Sequence, residues 1–593
     1  MPERPWLPFY GDTPATIPYP GTTLFELFEQ STREYRDYHA FEYLGEQISF
    51  RDLDDLVHAA AGGLRAMGVQ PGDRVATIMP NTPHVPIVLY AANRVGAVVS
   101  IVHAESPAAE AATLLDDLDP AWIVVGREHL NGLLALNAGR SARGIVVCSL
   151  DDFGRRSRLR AMDVMRQRFG VDQGGLRAAP EPAPEVAGRP RPEATVPDLV
   201  PWQALLRRGE GIALPPHRDL HGPDDLAVVL YTGGTSATPR GVMHADRQLT
   251  AVALQMQVQG PLLAGQTLLC AVPFAHGFGV AVAVHASVSA GARSVLLPHT
   301  TPRSLARAIR RIHAEYLIGV PATYAGLVKD RVFRRARHRS LMGAFCGGDR
   351  LPRWIRERFA TIVRRRGGAI TIREGYGLTE TVTACTTMPD TEERPGSVGV
   401  PYPDTCVAIA VPVHRPFDPQ SEPPLWLGAG SIGEILVSGP TVMDGYWRDE
   451  EATRRSLHPD EEGRVWLRTG DLGRMDENGF LWFVERADRV CVAGGEEIHP
   501  GLTELLLSEH AEVLETCVTV DECAAAPHLT AHVAPSDPDR DTSWLERHLR
   551  ESLQTLEERQ RPSEFAFHSR LPRTLAGVID SRRLAVDPAP ARK

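Results

Sequence analysis

At 593 residues the chain is too long for one compact core, so two or more domains are expected. A net charge of −10 argues against a nucleic-acid binder, which would carry a basic face or stripe. No apolar run approaches membrane-spanning length, and the opening residues, MPERPWLPFYGD, lack the charged-then-apolar plan of a signal peptide, so a cytoplasmic protein with no integral membrane segment is expected.

From Thr23 the pattern is helical, with Leu24, Leu27 and Phe28 on one face and a turn beginning at Ser31. Residues 40–50, AFEYLGEQISF, alternate like a hairpin around Gly45. A helix over residues 51–67 follows, with Leu53, Val57, Ala60 and Leu64 inward. Next come a Pro-Gly turn, a strand at 74–79, a helix beginning near Pro83 and a buried strand at 98–102. Strands alternating with helices imply an α/β fold with a largely parallel sheet covered on both faces. Between about 151 and 218 the pattern dissolves. Residues 178–197 are rich in Pro, Ala and Glu and read as a mobile surface insert, and order returns at 202–206.

The stretch 226–242, LAVVLYTGGTSATPRGV, is a short apolar strand that breaks into Thr, Gly and Ser before Gly241 and Val242 resume the ordered chain. Glycines let a backbone turn tightly and bring its N–H groups to an anion, and Thr232, Thr235 and Ser236 add hydroxyl donors. That chemistry suits the β- and γ-phosphates of a nucleotide, although a Gly-rich loop alone is equally a polar surface turn. No Gly-Lys-Ser/Thr follows, so it is not a Walker loop.

The whole string resembles the phosphate-binding loop of the adenylate-forming superfamily, which includes acyl-CoA synthetases, luciferases and nonribosomal adenylation domains. The resemblance implies nucleotide contacts from Thr232, Gly233, Gly234, Thr235 and Ser236, with Arg240 where the family has lysine. Further landmarks recur in family order. Residues 267–272 read as a strand leading to Pro273-Phe274-Ala275-His276-Gly277, which resembles the border of the acyl pocket. A lone histidine is more often structural, but this placement favours a pocket role for His276. Residues 319–324, GVPATY, resemble the start of a helix lining the same cavity, through Gly319 and Tyr324, with core packing an equal alternative for Tyr324. Gly347 and Gly348 occupy the Gly-Gly strand end whose backbone faces adenine. In Glu374-Gly375-Tyr376-Gly377-Leu378-Thr379-Glu380 the resemblance implies that Tyr376 stacks on adenine, Thr379 contacts the α-phosphate and Glu380 holds Mg2+. Those roles suit an aromatic face, a hydroxyl donor and a hard carboxylate. By the same resemblance, Thr232, Thr235, Arg240, His276 and Glu380 form the catalytic set.

Residues 433–447, GEILVSGPTVMDGYW, resemble the family's small barrel-like subdomain. Asp471 is then placed to accept both ribose hydroxyls, with Arg486 reaching the ribose. Asp488 sits at the family's hinge, about which a small α+β carboxy-terminal domain (488–593) rotates against a large ATP- and substrate-binding domain (1–487). Gly494 and Gly495 match the loop that approaches pantetheine.

Two departures stand out. The family ends Leu-Pro-Arg-Thr-x-x-Gly-Lys-Ile, whereas LPRTLAGVI here places Val578 at the lysine position. That lysine bridges the substrate carboxylate and the nucleotide, where its charge meets transition-state charge, so losing it should cost several kcal/mol of barrier. Lysine occurs only at 329 and 593, so drift toward arginine explains Arg240, but it does not explain a valine. Leu502 replaces a usual glutamate, which reads as surface packing. The 8 cysteines show no CxxC pair or metal spacing and read as reduced, mostly buried thiols.

The leading expectation is an ATP-dependent, AMP-forming ligase with spacing nearest to bacterial long-chain fatty-acid and aryl-acid CoA ligases. It would take a small-molecule acid, with coenzyme A, a carrier-protein thiol or an amine as acceptor, and a homodimer is allowed. A second reading, which Val578 favours, is a diazotase of natural-product biosynthesis that adenylates nitrite for an aryl amine. A third is a catalytically silent nucleotide-binding scaffold. The retained Thr379, Glu380, Asp471 and Arg486 argue against the third.

Overall fold

The computed structural model describes residues 4–136, 138–139, 141–153, 198–232, 239–260, 262–412, 424–493, 496–521, 528–537, 541–573 and 579–586. Among these, two large sheets dominate. One has eight strands, ordered Gly445–Tyr446, Gly241–Ala245, Leu226–Tyr231, Val98–His103, Arg74–Met79, Trp122–Gly126, Gly144–Cys148 and Asp198–Pro201. The other has nine, with Ile372–Gly377, Gly343–Cys346, Tyr316–Gly319, Thr267–Cys270 and Arg293–Leu296 as its parallel centre. The α/β class is therefore as expected, with antiparallel strands added at the edges of both sheets.

Helices fill the space between the sheets because their apolar residues recur at helical spacing. In Phe50–Ala66, Leu53, Val57, Ala60 and Leu64 are all buried, and Ser49 and Asp52 close a reciprocal capping box at its start. The helices His84–Arg94 and Asp246–Gln259 share one core with Val99 and Val124 of the first sheet and Leu268 and Cys270 of the second. Burying both faces of parallel strands explains their nearly uninterrupted apolar runs.

Several local expectations are met and two need correction. His39–Tyr43 and Glu46–Ser49 form the hairpin, with Leu44 and Gly45 at positive φ in its turn. The first helix runs Leu24–Glu34, through Ser31, whose hydroxyl donates back to Leu27 O at 2.8 Å instead of opening a turn. The stretch 433–447 divides between sheets. Gly433–Ser438 joins a five-stranded sheet with Cys406–Ala410 and Val465–Met475, while Gly445–Tyr446 crosses to pair with Gly241–Ala245. The residues 178–197 lie outside the described residues.

Beyond Asp488, Val513–Asp521, His528–Pro535 and Glu564–Phe567 make a three-stranded sheet. It has its own core, built on Leu507, Val518, Leu529, Leu545 and Leu549.

Candidate active site

The strand Leu226–Tyr231 and its antiparallel neighbour Gly241–Ala245 bring the two ends of the Thr/Gly/Ser loop together. Thr232 N–H donates to Arg240 O at 3.0 Å, and Arg240 N–H donates to Thr232 Oγ1 at 3.1 Å. Gly233, Gly234, Thr235 and Ser236 lie outside the described residues. The Arg240 guanidinium lies 5.5 Å from the centre of the Tyr446 ring and 3.5 Å from Asp449 Oδ2. Tyr446 in turn donates its hydroxyl to Glu380 Oε1 at 2.8 Å. Burial and the adjacent Glu380 push the Tyr446 phenol up, which keeps it a donor. The structure thus joins Arg240 to Glu380 through a tyrosine that the sequence reading treated only as part of a structural segment.

A second tie was also missed. His244, on Gly241–Ala245, donates Nε2–H to Thr379 O at 2.8 Å, since a carbonyl only accepts. Burial holds its pKa at about 4, so the ring is neutral and serves as a fixed strut under the turn Thr379–Thr381. The GVMHA string directly after the loop was the available signal.

The expected ribose carboxylate sits in a fork. Asp471 and Arg486 face each other across the antiparallel strands Val465–Met475 and Leu481–Arg486. Arg486 Nη1 donates to Asp471 Oδ1 at 3.3 Å, and the Tyr376 hydroxyl donates to Oδ2 at 2.7 Å. Burial raises the Asp471 pKa to about 6 against the opposing pull of Arg486 and Tyr376.

Glu374, which the family resemblance counts with Gly375 and Gly377 among the nucleotide-binding residues, has its side chain engaged elsewhere. Its carboxylate is buried, ion-paired with Arg356 and accepts from Leu351 N–H at 3.3 Å, which leaves only its backbone for a nucleotide. The strand's period of two explains this. Arg373, Gly375 and Gly377 line the cavity described next, whereas Glu374 and Tyr376 project away from it.

That cavity, of about 220 Å³, is mainly apolar and is lined by His276, Gly347, Gly348, Gly377 and Thr379 among others. It is smaller than the ~300–1,000 Å³ of sites for drug-sized ligands, which points to a compact occupant. Val320 lines it, but Gly319 and Tyr324 do not. Tyr324 is fully buried in the core on the other side of the sheet, edge-on to Phe359, and donates to Phe345 O at 2.7 Å. Of the two roles left open for Tyr324, core packing is the one observed. His276 is held neutral, with a pKa of about 4, by burial and by His103, 6.3 Å away between ring centres. Its Nε2 has no partner among the described residues.

Gly277 is required by close approach. A Cβ there would stand 1.5 Å from Val382 O, and Val382 itself holds φ +62°. A β-branched residue in that region is strained, and such strain clusters at functional sites.

A second cavity, of about 170 Å³, opens where the carboxy-terminal sheet meets the rest of the chain. Its walls include Asp349, Arg350, Arg486, Arg489, Arg573 and Ile579. Around it Arg489 forms a two-pronged pair with Glu504 at 3.0 and 2.5 Å, and Glu485 accepts from His499 and from Gly501 N–H at 3.0 and 2.9 Å. Asp488 is exposed, 3.6 Å from Arg486. Arg573, paired with Glu515 at 2.8 Å, also bridges to Ile579. Gly494, Gly495 and Val578 lie outside the described residues.

Solved structures share this architecture. The anthranilate CoA ligase AuaEII in complex with anthranoyl-AMP superposes with a TM-score of 0.76 at 18% identity, covering 97% of this chain and 98% of that one. ATP-bound MatB from Rhodopseudomonas palustris gives 0.75 at 23% identity, covering 95% and 98%. The fold is that of the adenylate-forming enzymes. The AMP-binding enzyme pattern matches residues 28–447, and the chain belongs to that family as an ATP-dependent, AMP-forming ligase. Over its length it is 28% identical to long-chain-fatty-acid–CoA ligases of Yersinia pestis and Bacillus subtilis, with 98% of each chain covered. It is 27% identical to a feruloyl-CoA synthase of Amycolatopsis sp., covering 91% of this chain and 94% of the relative.

Proposed function

We propose that the protein adenylates a compact carboxylic acid with ATP and passes the acyl group to a thiol, with coenzyme A as the acceptor. The observation that carries this reading is a junction. The apolar cavity ends on Gly377 and Thr379, the same strand end and turn that present Tyr376 toward Asp471 and Glu380 toward Tyr446. An acid lying in the cavity would bring its carboxylate to that junction, where a nucleotide held by Asp471 and Arg486 would bring its α-phosphate. Attack of the carboxylate oxygen on phosphorus then releases pyrophosphate, and thiolate attack on the acyl carbon releases AMP. Holding both reactants in one geometry is itself worth several kcal/mol of barrier.

Within this reading Thr379 is positioned by His244, and Glu380 keeps one carboxylate oxygen unoccupied by Tyr446. No group of three or more metal-ligating side chains exists among the described residues. A single carboxylate nonetheless fits Mg2+, which is commonly held by one or two carboxylates, water and the substrate's phosphates. When bound there it would supply charge neutralisation for the triphosphate. Tyr376 would offer its ring to adenine, Asp488 would be the pivot of the carboxy-terminal unit, and Gly494 and Gly495 would meet the incoming thiol. Residues 1–487 would then act as the substrate-holding domain.

The relatives' names support a CoA ligase. A nitrite-activating diazotase rests on one observation, the valine at 578, where a cation shaped to a carboxylate is not required. Pyrophosphate release tests both: fatty acids and aryl acids with coenzyme A on one side, nitrite with aminoaryl acids on the other. Turnover confined to nitrite would overturn the proposal.

A further inference from the structure

The far end of the acid cavity carries a charge that the adenylation chemistry does not use. Arg373 lies on the same face of its strand as Gly375 and Gly377, four residues before the junction, or roughly 13 Å of strand rise. It pairs laterally with Phe345 of the next strand, and its guanidinium sits 4.6 Å from the centre of that ring. Tyr316, stacked on Phe345 at 6.5 Å, and Tyr402 complete an aromatic collar on the cavity wall. Gly260 leaves the head room: a Cβ there would meet Phe345 at 3.1 Å and Arg373 Nη2 at 3.7 Å.

The guanidinium is incompletely satisfied. Its side chain is only 13% exposed, and among the described residues its one ionic partner is Asp390, at 2.8 Å from Nη1. Asp390 is 74% exposed and lies on the outer side, in a separate polar groove that Arg373 also borders. An exposed carboxylate contributes little to such a pair. Its buried Nη1, although within ion-pair distance of Asp390, makes no hydrogen bond among the described residues, so the guanidinium keeps donors to offer. An alkyl terminus pressed against them would strip their water and return no hydrogen bond, which selects against apolar tails.

We propose that Arg373 is a specificity-determining residue that reads an oxygen acceptor at the distal end of the acid, so that the substrate class is a compact aryl acid bearing a hydroxyl, alkoxy or carboxylate group opposite its reactive carboxylate. This rests on the reading of the cavity as the acid site. A guanidinium has five donors and no acceptor, so a distal ammonium or alkyl group is disfavoured by the same geometry.

The test uses benzoic and 3-phenylpropenoic acids with hydrogen, hydroxyl or carboxylate at the para position. Calorimetric binding of each acid to the full-length protein is measured beside pyrophosphate release. The wild type should prefer the better-fitting acceptor-bearing acid over its unsubstituted parent by tenfold or more. Arg373→Met should bring that ratio within threefold while still binding the parent, Arg373→Lys should restore part of it, and Asp390→Asn, on the surface, should raise the preference for the para-carboxylate. A ratio unchanged in Arg373→Met, or no preference in the wild type, overturns the inference. Arg373-dependent binding without pyrophosphate release from any acid would leave the inference standing and remove the adenylation reading. Pyrophosphate release with no dependence on Arg373 would do the reverse.

Discussion

The Tyr376 hydroxyl and the Asp471 carboxylate, 95 positions apart in sequence, meet at 2.7 Å. They tie the five-stranded sheet, through Val465–Met475, to the end of the strand Ile372–Gly377. With Arg486 on the other oxygen, Asp471 is gripped from both sides, ready for the ribose it is proposed to hold. Preorganisation of this kind removes the cost of ordering the carboxylate at the moment of binding.

Tyr376→Phe keeps the ring and removes the donor. Asp471 already titrates at about 6, and the tyrosine hydroxyl is one of the groups holding it down. The acid limb of ATP binding should therefore move upward, by as much as one pH unit, with affinity at pH 8 reduced only a few-fold. Calorimetric titration with ATP between pH 5 and 8 measures it. A stationary limb would mean that Asp471 does not face the nucleotide.

The same carboxylate has a stability consequence in the absence of nucleotide. Its folded pKa, about 6, lies above the ordinary 3.8, so the native state keeps a proton that the unfolded chain has already lost. Stability from this group is complete below about 4 and is lost as pH rises through about 6. Asp471→Asn should accordingly gain on the wild type across that window, by about 1–3 kcal/mol. Urea unfolding of both proteins at pH 4 and pH 7 reads the difference, and a gain that shrinks with rising pH would contradict the assignment.

Glu380→Gln should lower AMP formation at least 100-fold at limiting Mg2+ and leave the fold unchanged. The amide oxygen can still accept from the Tyr446 hydroxyl, so the local structure survives while the charge is lost. Thermal unfolding within about 2 °C of wild type, beside the loss of turnover, is the expected pair of results. Full turnover in the variant would remove Glu380 from the metal role.

Much of the fold was legible because parallel strands buried on both faces write themselves as apolar runs. The strand Arg74–Met79 and the helix Phe50–Ala66 fell where periodicity put them. The site was legible in part. Motif order brought Tyr376, Asp471 and Arg486 to one place, yet motif membership does not say which way a side chain points. Glu374 sits inside the strongest motif and is consumed by Arg356, while Arg373, one residue earlier, faces the cavity. His244 and Tyr446 were not read as site residues because their contacts, to Thr379 and Glu380, span 135 and 66 positions. Tyr324 was undecidable from sequence since both faces of its helix are apolar.

Gly277 tests the packing beneath the cavity. Gly277→Ala would force a Cβ to within 1.5 Å of Val382 O, a backbone atom already fixed at positive φ. No rotamer relieves that clash, so the segment Phe278–Ala286 or the turn Thr379–Thr381 must shift. A loss of about 3 kcal/mol or more is expected from denaturant unfolding, in line with other severe backbone effects. A variant as stable as wild type would show that the two segments are not in contact.

The last prediction concerns the valine at 578. The family resemblance implies a lysine there, and in this chain neither of the two lysines, at 329 and 593, stands near that position in sequence. The described residues that flank it, Arg573 and Ile579, pair with each other and border the same cleft as Arg486 and Arg350. Cations are therefore already present at that cleft, and a chain so rich in arginine would have placed one at 578 had the reaction needed it. Val578→Lys should leave pyrophosphate release unchanged or lower, because the wild-type reaction proceeds with no cation at this position. Matched substrates and saturating ATP are required for the comparison. A gain of tenfold or more, about 1.4 kcal/mol of barrier, would show that a lysine at 578 serves this reaction and that the valine is a defect, not an adaptation.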